Sequence, residues 1–358
     1  MHFIDAGKVT VTPEILILIA ELDEFKGRWT ATQALAPDRL AALRQVATIE
    51  SVGSSTRIEG VKLTNSEVES LLRGLKTYSF RSRDEQEVAG YAEVMEMIFG
   101  AYQDIQISEN TIKQLHGNLL KHSTKDERHR GEYKKFPNHV EAFDASGKSK
   151  GVIFKTASPF STPKLMTELI DWTNDQIKKK ELHPLLIVAL FVVILLQIHP
   201  FQDGNGRLSR ALTTLLLLRL GYGYVPYSSM ERVIEENKDG YYLALRRAQA
   251  ELEGKKPMPR KKQSGMNDWL VYFLRAMQKQ KMALETKLKN ELMANQIPQL
   301  SLQIIELVKS RGQSSIAELV AITGANRNTV KVHLRQLVAG GFLSSIGAGR
   351  GVRYSLKS

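Results

Sequence analysis

Cysteine is absent from the 358 residues of the chain. Its absence excludes a disulfide scaffold, a zinc site built on thiolates and a cysteine nucleophile. A chain without cysteine also fits a reducing compartment, and we expect a cytoplasmic protein.

Long apolar runs are lacking as well. The longest spans residues 185–196, which is twelve residues, whereas a membrane-spanning helix needs about 18 or more. The first residues contain no apolar signal segment. We therefore expect no membrane partner and interpret the apolar run as a buried central helix.

Acidic side chains are outnumbered, with 38 Asp and Glu against 50 Lys and Arg, so the formal charge is +12. Eight basic and two acidic residues fall within 301–358, which therefore carries half of the excess. A basic balance favours an anionic partner such as nucleic acid, a nucleotide or a membrane surface.

Strand-like segments are scarce, and the spacing of the apolar residues predicts helices along most of the chain. One hairpin is predicted, with strands at 138–143 and 151–155 around a turn at 144–147. The tail predicts a helix, a helix-turn-helix and a β-wing. The helices predicted before the tail cover residues 13–26, 37–51, 84–101, 108–121, 161–180, 184–198, 206–220, 238–252 and 267–293.

These patterns divide the chain into four parts. Residues 1–83 form an N-terminal helical region, 84–253 a helical core, 254–298 a basic linker with an amphipathic helix, and 299–358 a winged helix. The predicted fold class is therefore an all-α core with a small β-hairpin, preceded by helices and followed by a winged-helix (α+β) domain.

Candidate chemistry is concentrated in residues 199–210, directly after the apolar run. His199 stands where the predicted helix ends, and neutral histidine is an available base at pH 7. Pro200 stops the helix. Asp203 then supplies a hard oxygen ligand that suits Mg²⁺ better than zinc.

The second half of this segment is suited to phosphate. Gly204, Asn205 and Gly206 form a loop that can turn several backbone N–H groups toward an anion, at the positive end of the next helix. Arg207 and Arg210 lie three residues apart, which puts both guanidinium groups on one face of the first turn. Each feature alone is common, but their coincidence predicts a site for phosphoryl or nucleotidyl transfer.

Residues 199–210 match every defined position of His-x-Phe-x-(Asp/Glu)-Gly-Asn-Gly-Arg-x-x-Arg, the signature of the Fic (filamentation induced by cAMP) family. The chain resembles that family over residues 84–252. The resemblance implies that residues 84–253 are an all-α Fic catalytic domain. Such a domain transfers AMP from ATP, with Mg²⁺, to a Ser, Thr or Tyr hydroxyl of a target protein, the chain itself included.

The resemblance also implies a role for each residue of the motif. His199 is the base and Asp203 binds the metal ion. Residues 204–206 cradle the α- and β-phosphates, Arg207 binds phosphate, and Arg210 is the partner of the γ-phosphate.

Residues 55–60, Ser-Thr-Arg-Ile-Glu-Gly, resemble a second motif of the family, (Ser/Thr)-x-x-x-Glu-(Gly/Asn). It marks autoinhibited members, here of the class with an N-terminal inhibitory helix. A carboxylate offered by Glu59 to Arg210 would occupy the place of the γ-phosphate and repel that phosphate. We therefore predict that Ser55 and Glu59 are inhibitory residues; a solvated glutamate near a helix end is the alternative.

The second strand of the hairpin falls where the family has its flap, which binds the target segment by strand pairing. The flap residues would be Gly151, Val152, Ile153 and Phe154. A plain surface hairpin is the alternative.

Three further residues resemble the family's adenine and ribose contacts. They are Tyr241, Tyr242 and Gln249, although the family often has asparagine at the last position, which leaves the ribose contact open. Aromatic pairs on helices also belong to cores. His116 and the pair Arg130-Gly131 recur in similar sequences, and we expect them to support the fold.

The leading interpretation is an autoinhibited protein adenylyltransferase with an accessory winged helix. One alternative is a DNA-binding regulator whose Fic core senses a nucleotide, and another is a Fic enzyme that transfers a different group or removes AMP. The winged helix predicts DNA or a protein as a partner, with Arg350 and Arg353 on the wing. Related proteins often form homodimers, which we expect here, but the sequence fixes neither the oligomeric state, the target nor the activating signal.

Overall fold

The computed structural model describes residues 9–31, 37–74, 80, 82–143, 149–253, 264–296, 298–347 and 351–357. The chain forms two compact units, Met1–Leu284 and Glu285–Ser358. The division falls inside a long helix, upstream of the boundary that the sequence predicts at residues 298–299.

Helices make up most of the first unit. The prediction was wrong about two helix ends, since α1 continues through Gly27 and α2 continues seven residues beyond Ser51. The short helix α9 was not predicted. The helices are α1 Pro13–Ala31, α2 Pro37–Ile58, α3 Asn65–Gly74, α4 Arg83–Ala101, α5 Glu109–Leu119, α6 Thr162–Lys179, α7 Pro184–Ile198, α8 Asn205–Arg219, α9 Met230–Glu236, α10 Lys238–Leu252 and α11 Gly265–Gln296.

The central helix of this unit is α7. Every residue from Leu185 to Ile198 is buried, and α7 packs against α6, α8 and α10. At roughly 0.8 kcal/mol for each buried methylene, the burial of these side chains contributes strongly to the stability of the core. Among the described residues, no helix is both long and apolar enough to cross a bilayer.

The predicted hairpin is present as β1 His139–Phe143 and β2 Ser149–Lys155. The strands are antiparallel, with His139 opposite Lys155 and Val140 opposite Phe154. No further described strand joins this two-stranded sheet. The predicted turn at 144–147 and the basic linker at 254–262 lie outside the described residues.

The second unit has its own core, and its helices and sheet alternate along the chain. Its strands form an antiparallel sheet in the order β3-β5-β4. The helices and the two strands that the sequence predicts for the tail are present, whereas the three-residue β3 was not predicted, and Arg350 lies outside the described residues. After the end of α11 the elements are α12 Gln299–Arg311, β3 Gln313–Ser315, α13 Ile316–Thr323, α14 Arg327–Ala339, β4 Leu343–Ile346 and β5 Arg353–Leu356.

Candidate active site

The histidine of the motif sits at the turn between α7 and α8. His199 caps α7 in the left-handed conformation (φ 52°), and its N–H donates to Leu195 O at 2.8 Å. Its Nδ1 lies 3.3 Å from Leu196 O. A carbonyl can only accept a hydrogen bond, so Nδ1 carries the proton and Nε2 carries the lone pair of the neutral ring.

Burial and a nearby cation keep this ring neutral. Burial and the charge of Lys134 together lower the pKa of His199 to about 4, although the Leu196 carbonyl, Glu59 and Asp203 act in the opposite sense. A histidine with this pKa is unprotonated at neutral pH. It can therefore accept a proton, which is the role that the sequence predicts for it.

Hydrogen bonds of the Asn205 side chain and a stacked pair of aromatic rings hold the loop after His199. The side chain of Asn205 accepts from Phe201 N at 2.9 Å and donates to Phe201 O at 2.7 Å. Phe201 stacks on His116, with ring centres 3.8 Å apart. The side-chain amide of Asn205 therefore holds the backbone of the loop that the sequence predicts as a phosphate cradle.

His116 fixes the same loop from α5. Its Nδ1 accepts from Gly131 N at 2.9 Å, so the proton lies on Nε2, which donates to Asp203 O at 2.9 Å. Burial lowers the pKa of His116 to about 4, and this arrangement needs the neutral ring. His116 and Gly131 thus support the fold of the site, as the sequence predicts.

The candidate metal ligand is ionised and partly open to solvent. The side chain of Asp203 is 36% exposed and lies 3.2 Å from Arg83 and 3.5 Å from Arg207. Burial opposes its ionisation, but Arg207 and the Gly204 N–H lower the pKa of Asp203 below its ordinary value. Mg²⁺ commonly takes one or two protein carboxylates and fills its other positions with phosphate oxygens and water. Asp203 fits that pattern.

The two motif arginines contact different groups. Arg207 Nη1 lies 3.0 Å from Glu87 Oε2, and this guanidinium is almost fully buried. Arg210 donates from Nε to Ser55 Oγ and from Nη2 to Ser55 O, both at 2.8 Å. The sequence did not predict a role for Glu87. Its carboxylate also pairs with Arg83 at 2.7 Å, so Glu87 holds the guanidinium groups of both Arg83 and Arg207.

The carboxylate of Glu59, just after α2, lies against the N-terminus of α8. Its Oε1 accepts from Arg210 Nη2 at 2.7 Å, and the two side chains are 30% and 5% exposed. A Cβ on Gly206 would overlap the Glu59 carboxylate, so only glycine permits this close approach. Burial opposes the ionisation of Glu59, but Arg210 and Arg207 lower its pKa below the ordinary value. The position beside Gly206, between the N-terminus of α8 and Arg210, is therefore suited to an anion and is filled by the Glu59 carboxylate.

A lysine that the sequence analysis missed joins the hairpin to the motif. The Lys134 ammonium is buried and donates to Ile198 O and Thr156 Oγ1 at 3.0 Å and to Asn138 Oδ1 at 2.8 Å. Burial lowers the pKa of Lys134 to about 8. Asn138 donates in turn to Phe201 O at 2.7 Å.

Both ends of the hairpin are thus anchored to the end of α7 and the loop that follows it, directly through Asn138 before β1 and by way of Lys134 through Thr156 after β2. The predicted flap residues Gly151, Val152, Ile153 and Phe154 lie on β2. Lys134 lies in an irregular, charged segment, and nothing in its sequence context distinguishes it from the solvated lysines nearby.

The predicted nucleotide contacts are only partly brought together. Tyr241 is buried and lines one small apolar cavity together with Arg210 and Trp269. Burial raises the pKa of Tyr241 to about 12, so the phenol stays neutral. Tyr242 packs against Tyr241 edge to face. Gln249 is fully buried two turns further along α10, and its side-chain amide bonds to none of the described residues, so its ribose contact stays a prediction.

Residues 106–217 match the model of the Fic/DOC family. The matched segment runs from before α5 to near the end of α8 and contains the whole 199–210 motif. Glu59 and the α10 residues lie outside it.

Two curated relatives from Drosophila are similar to more than half of this chain. The chain is 30% identical over 216 residues to "Protein adenylyltransferase Fic" of Drosophila willistoni, which covers 60% of this chain and 40% of that protein. The corresponding protein of Drosophila grimshawi is 31% identical over 60% of this chain and 42% of its own length. The chain thus spans about two fifths of the length of these relatives.

Solved structures extend the likeness to the fold. A Fic family protein from Desulfovibrio desulfuricans G20 is 25% identical, with a TM-score of 0.61, and the alignment covers 97% of each chain. A Fic-domain signalling protein from Bacteroides thetaiotaomicron VPI-5482 is 26% identical, with a TM-score of 0.57, over 75% of this chain and 97% of that chain. Together with the family match, these likenesses support a Fic protein.

Proposed function

We propose that the chain is a protein adenylyltransferase that transfers AMP from ATP to a hydroxyl of a target protein. The observation that carries the proposal is the anion position beside Gly206, which Arg210 contacts and which lies one loop away from the neutral His199. The curated relatives named protein adenylyltransferase Fic support the same activity.

The reaction requires one proton acceptor and one anion site. His199 Nε2 accepts the proton of the target Ser, Thr or Tyr hydroxyl as its oxygen forms a bond to the α-phosphorus. The bond from the α-phosphorus to the bridging oxygen breaks, and pyrophosphate leaves with the bonding electron pair. General base catalysis of this kind contributes about 10²–10⁴-fold.

The chain's own residues hold the triphosphate in this proposal. The backbone of residues 204–206 and the charge of Arg207 bind the phosphates nearest the bond that breaks, and Arg210 binds the γ-phosphate. Asp203 would hold Mg²⁺, which supplies charge neutralisation on the phosphates when it is bound.

Autoinhibition by α2 is part of the same proposal. Glu59 and a γ-phosphate would compete for Arg210, and two anions cannot share that guanidinium without strong repulsion. The contacts of Ser55 with the same arginine further restrict its movement. ATP would then bind in a pose that does not react until α2 moves.

The target is proposed to pair with the edge of β2 that does not pair with β1. The winged helix is proposed to supply a separate partner surface.

Removal of AMP is the second candidate activity, because Glu59 lies close enough to the motif to activate a water. A homodimer and a cytoplasmic location stay predictions.

One experiment tests the proposal. The full chain is incubated with [α-³²P]ATP and Mg²⁺ as wild type, Glu59→Gly and Glu59→Gly/His199→Ala, with ATP binding measured in parallel. We expect Glu59→Gly to incorporate more label than wild type, and the double variant to bind ATP but lose incorporation by about 10²-fold or more. ATP binding without transfer by Glu59→Gly would favour the nucleotide sensor instead. Loss of label from a pre-modified target, dependent on Glu59, would favour AMP removal.

A further inference from the structure

The second unit presents a helix whose two sides differ sharply. Val330, Leu334 and Leu337 of α14 are buried in the core of this unit. The opposite side of α14 is exposed. α14 follows α13 after a short turn in which Gly324 is left-handed (φ 66°). This is the helix-turn-helix connection, in which the second helix is the one free to enter a groove.

The exposed side of α14 carries unopposed positive charge. Arg327, Lys331 and Arg335 are exposed and follow one another at four-residue steps, so they form a continuous stripe along the helix. None of the three makes an ion pair with a carboxylate among the described residues. The helix itself contains no acidic residue.

Uncharged groups beside the stripe suit the edges of bases. Asn328 and Val332 lie on the same exposed side of α14, and Val332 is 50% exposed. Asparagine side chains pair with adenine in the major groove, and apolar groups contact the thymine methyl. On the wing, Arg353 is half-exposed and lies 3.9 Å from Glu318, a weak pair that leaves it available to a phosphate.

We propose that α14 is a double-stranded DNA interface, in which it lies in the major groove with Arg327, Lys331 and Arg335 on phosphates and base edges. The positive stripe, the absence of acids and the polar groups beside it favour a polyanion over an apolar protein surface. B-form DNA is favoured over double-stranded RNA because the major groove of A-form RNA is too narrow to admit a helix.

The test uses the full chain and a fluorescent 30-base-pair DNA duplex of mixed sequence, with binding followed by anisotropy between 50 and 200 mM salt. The stripe variant is Arg327→Gln/Lys331→Gln/Arg335→Gln. The matched control, Lys164→Gln/Lys178→Gln/Lys279→Gln, removes the same net charge from exposed positions of the first unit. Glutamine keeps helix propensity, and far-UV circular dichroism checks that both variants remain folded.

We expect wild type and control to bind the duplex, with affinity that falls steeply as salt rises. The stripe variant should bind at least about 10-fold more weakly at 50 mM salt and show a log–log salt slope lower by about two to three. A duplex of RNA should bind more weakly than DNA. Equal weakening in stripe and control variants, or no binding by wild type at 50 mM salt, would overturn the proposal and leave α14 to a protein partner. Because the assay measures binding alone, its outcome does not depend on AMP transfer.

Discussion

Arg57 fastens the end of α2 to α9, two residues before Glu59. It donates from Nε to Glu235 Oε1 at 2.6 Å and from Nη2 to Glu235 Oε2 at 3.0 Å, and its Nη1 donates to Leu63 O at 3.0 Å. These bonds hold the backbone that positions Glu59 on Arg210. We predict that Arg57→Met weakens the inhibitory contact and raises AMP transfer.

The size of the effect follows from the exposure of the pair. The side chains of Arg57 and Glu235 are 23% and 28% exposed, so the pair lies between a surface ion pair, worth about 0.2–1 kcal/mol, and a buried one. Its two-pronged geometry adds strength, and we take about 1–2 kcal/mol. Because every 1.4 kcal/mol is tenfold, the held state of α2 should lose about 5–30-fold in population relative to the released state.

The assay is the initial rate of label incorporation from [α-³²P]ATP. Arg57→Met should raise the rate by about 5–30-fold, up to the ceiling set by Glu59→Gly, and should add nothing in the Glu59→Gly background. Arg73→Met is the matched control, since Arg73 makes an exposed ion pair with Glu69 on α3, and we expect no change. An equal rise in the Glu59→Gly background, or none in the wild type, would refute the reasoning.

Two further predictions concern the base and the core. Transfer should persist down to about pH 5, because the pKa of His199 is lowered to about 4. Lys134→Met removes a positive charge that opposes protonation of His199, so it should move the acid limb of the pH–rate profile to higher pH. An acid limb that does not move would contradict this. Gly90→Ala should lower the free energy of urea unfolding by at least about 2 kcal/mol, because the new Cβ would overlap the Leu119 carbonyl oxygen. Gly27→Ala has no atom within 4 Å of the new Cβ and should raise the free energy of unfolding by about 0.5–1 kcal/mol. Equal shifts in the two glycine variants would show that the close approach of α4 and α5 is not the cause.

The local parts of the site were predictable because their signals are local. The apolar run predicts α7, Pro200 predicts its end, and the glycines predict where α8 begins. The spacing of Thr64 and Glu67 is also a local signal, that of a capping box, and Glu67 Oε2 accepts from Thr64 N at 2.8 Å. Each of these features depends on residues within one or two turns of each other.

The supporting residues could not be predicted because their partners are distant in the chain. Lys134 donates to Ile198 O, which is 64 residues away in the sequence, and Arg57 donates to Glu235, which is 178 residues away. Glu87 reads in the sequence as one more charged residue of an amphipathic helix, yet it is buried between two arginines. Only the packing of α4 against α8 gives it that role.

The chemistry of the anion position constrains how the proposed inhibition can be relieved. The pKa of Glu59 is lowered by Arg210 and Arg207, so the carboxylate stays charged throughout the physiological range and protonation cannot release it. Arg210 likewise has its pKa raised further by Glu59. Since neither partner can lose its charge, the contact ends only when α2 moves or when a stronger anion displaces the carboxylate. In this proposal the bonds of Arg57 set how readily α2 moves, so relief of the inhibition depends on a partner that binds α2 or α9 and not on protonation of the Glu59–Arg210 pair.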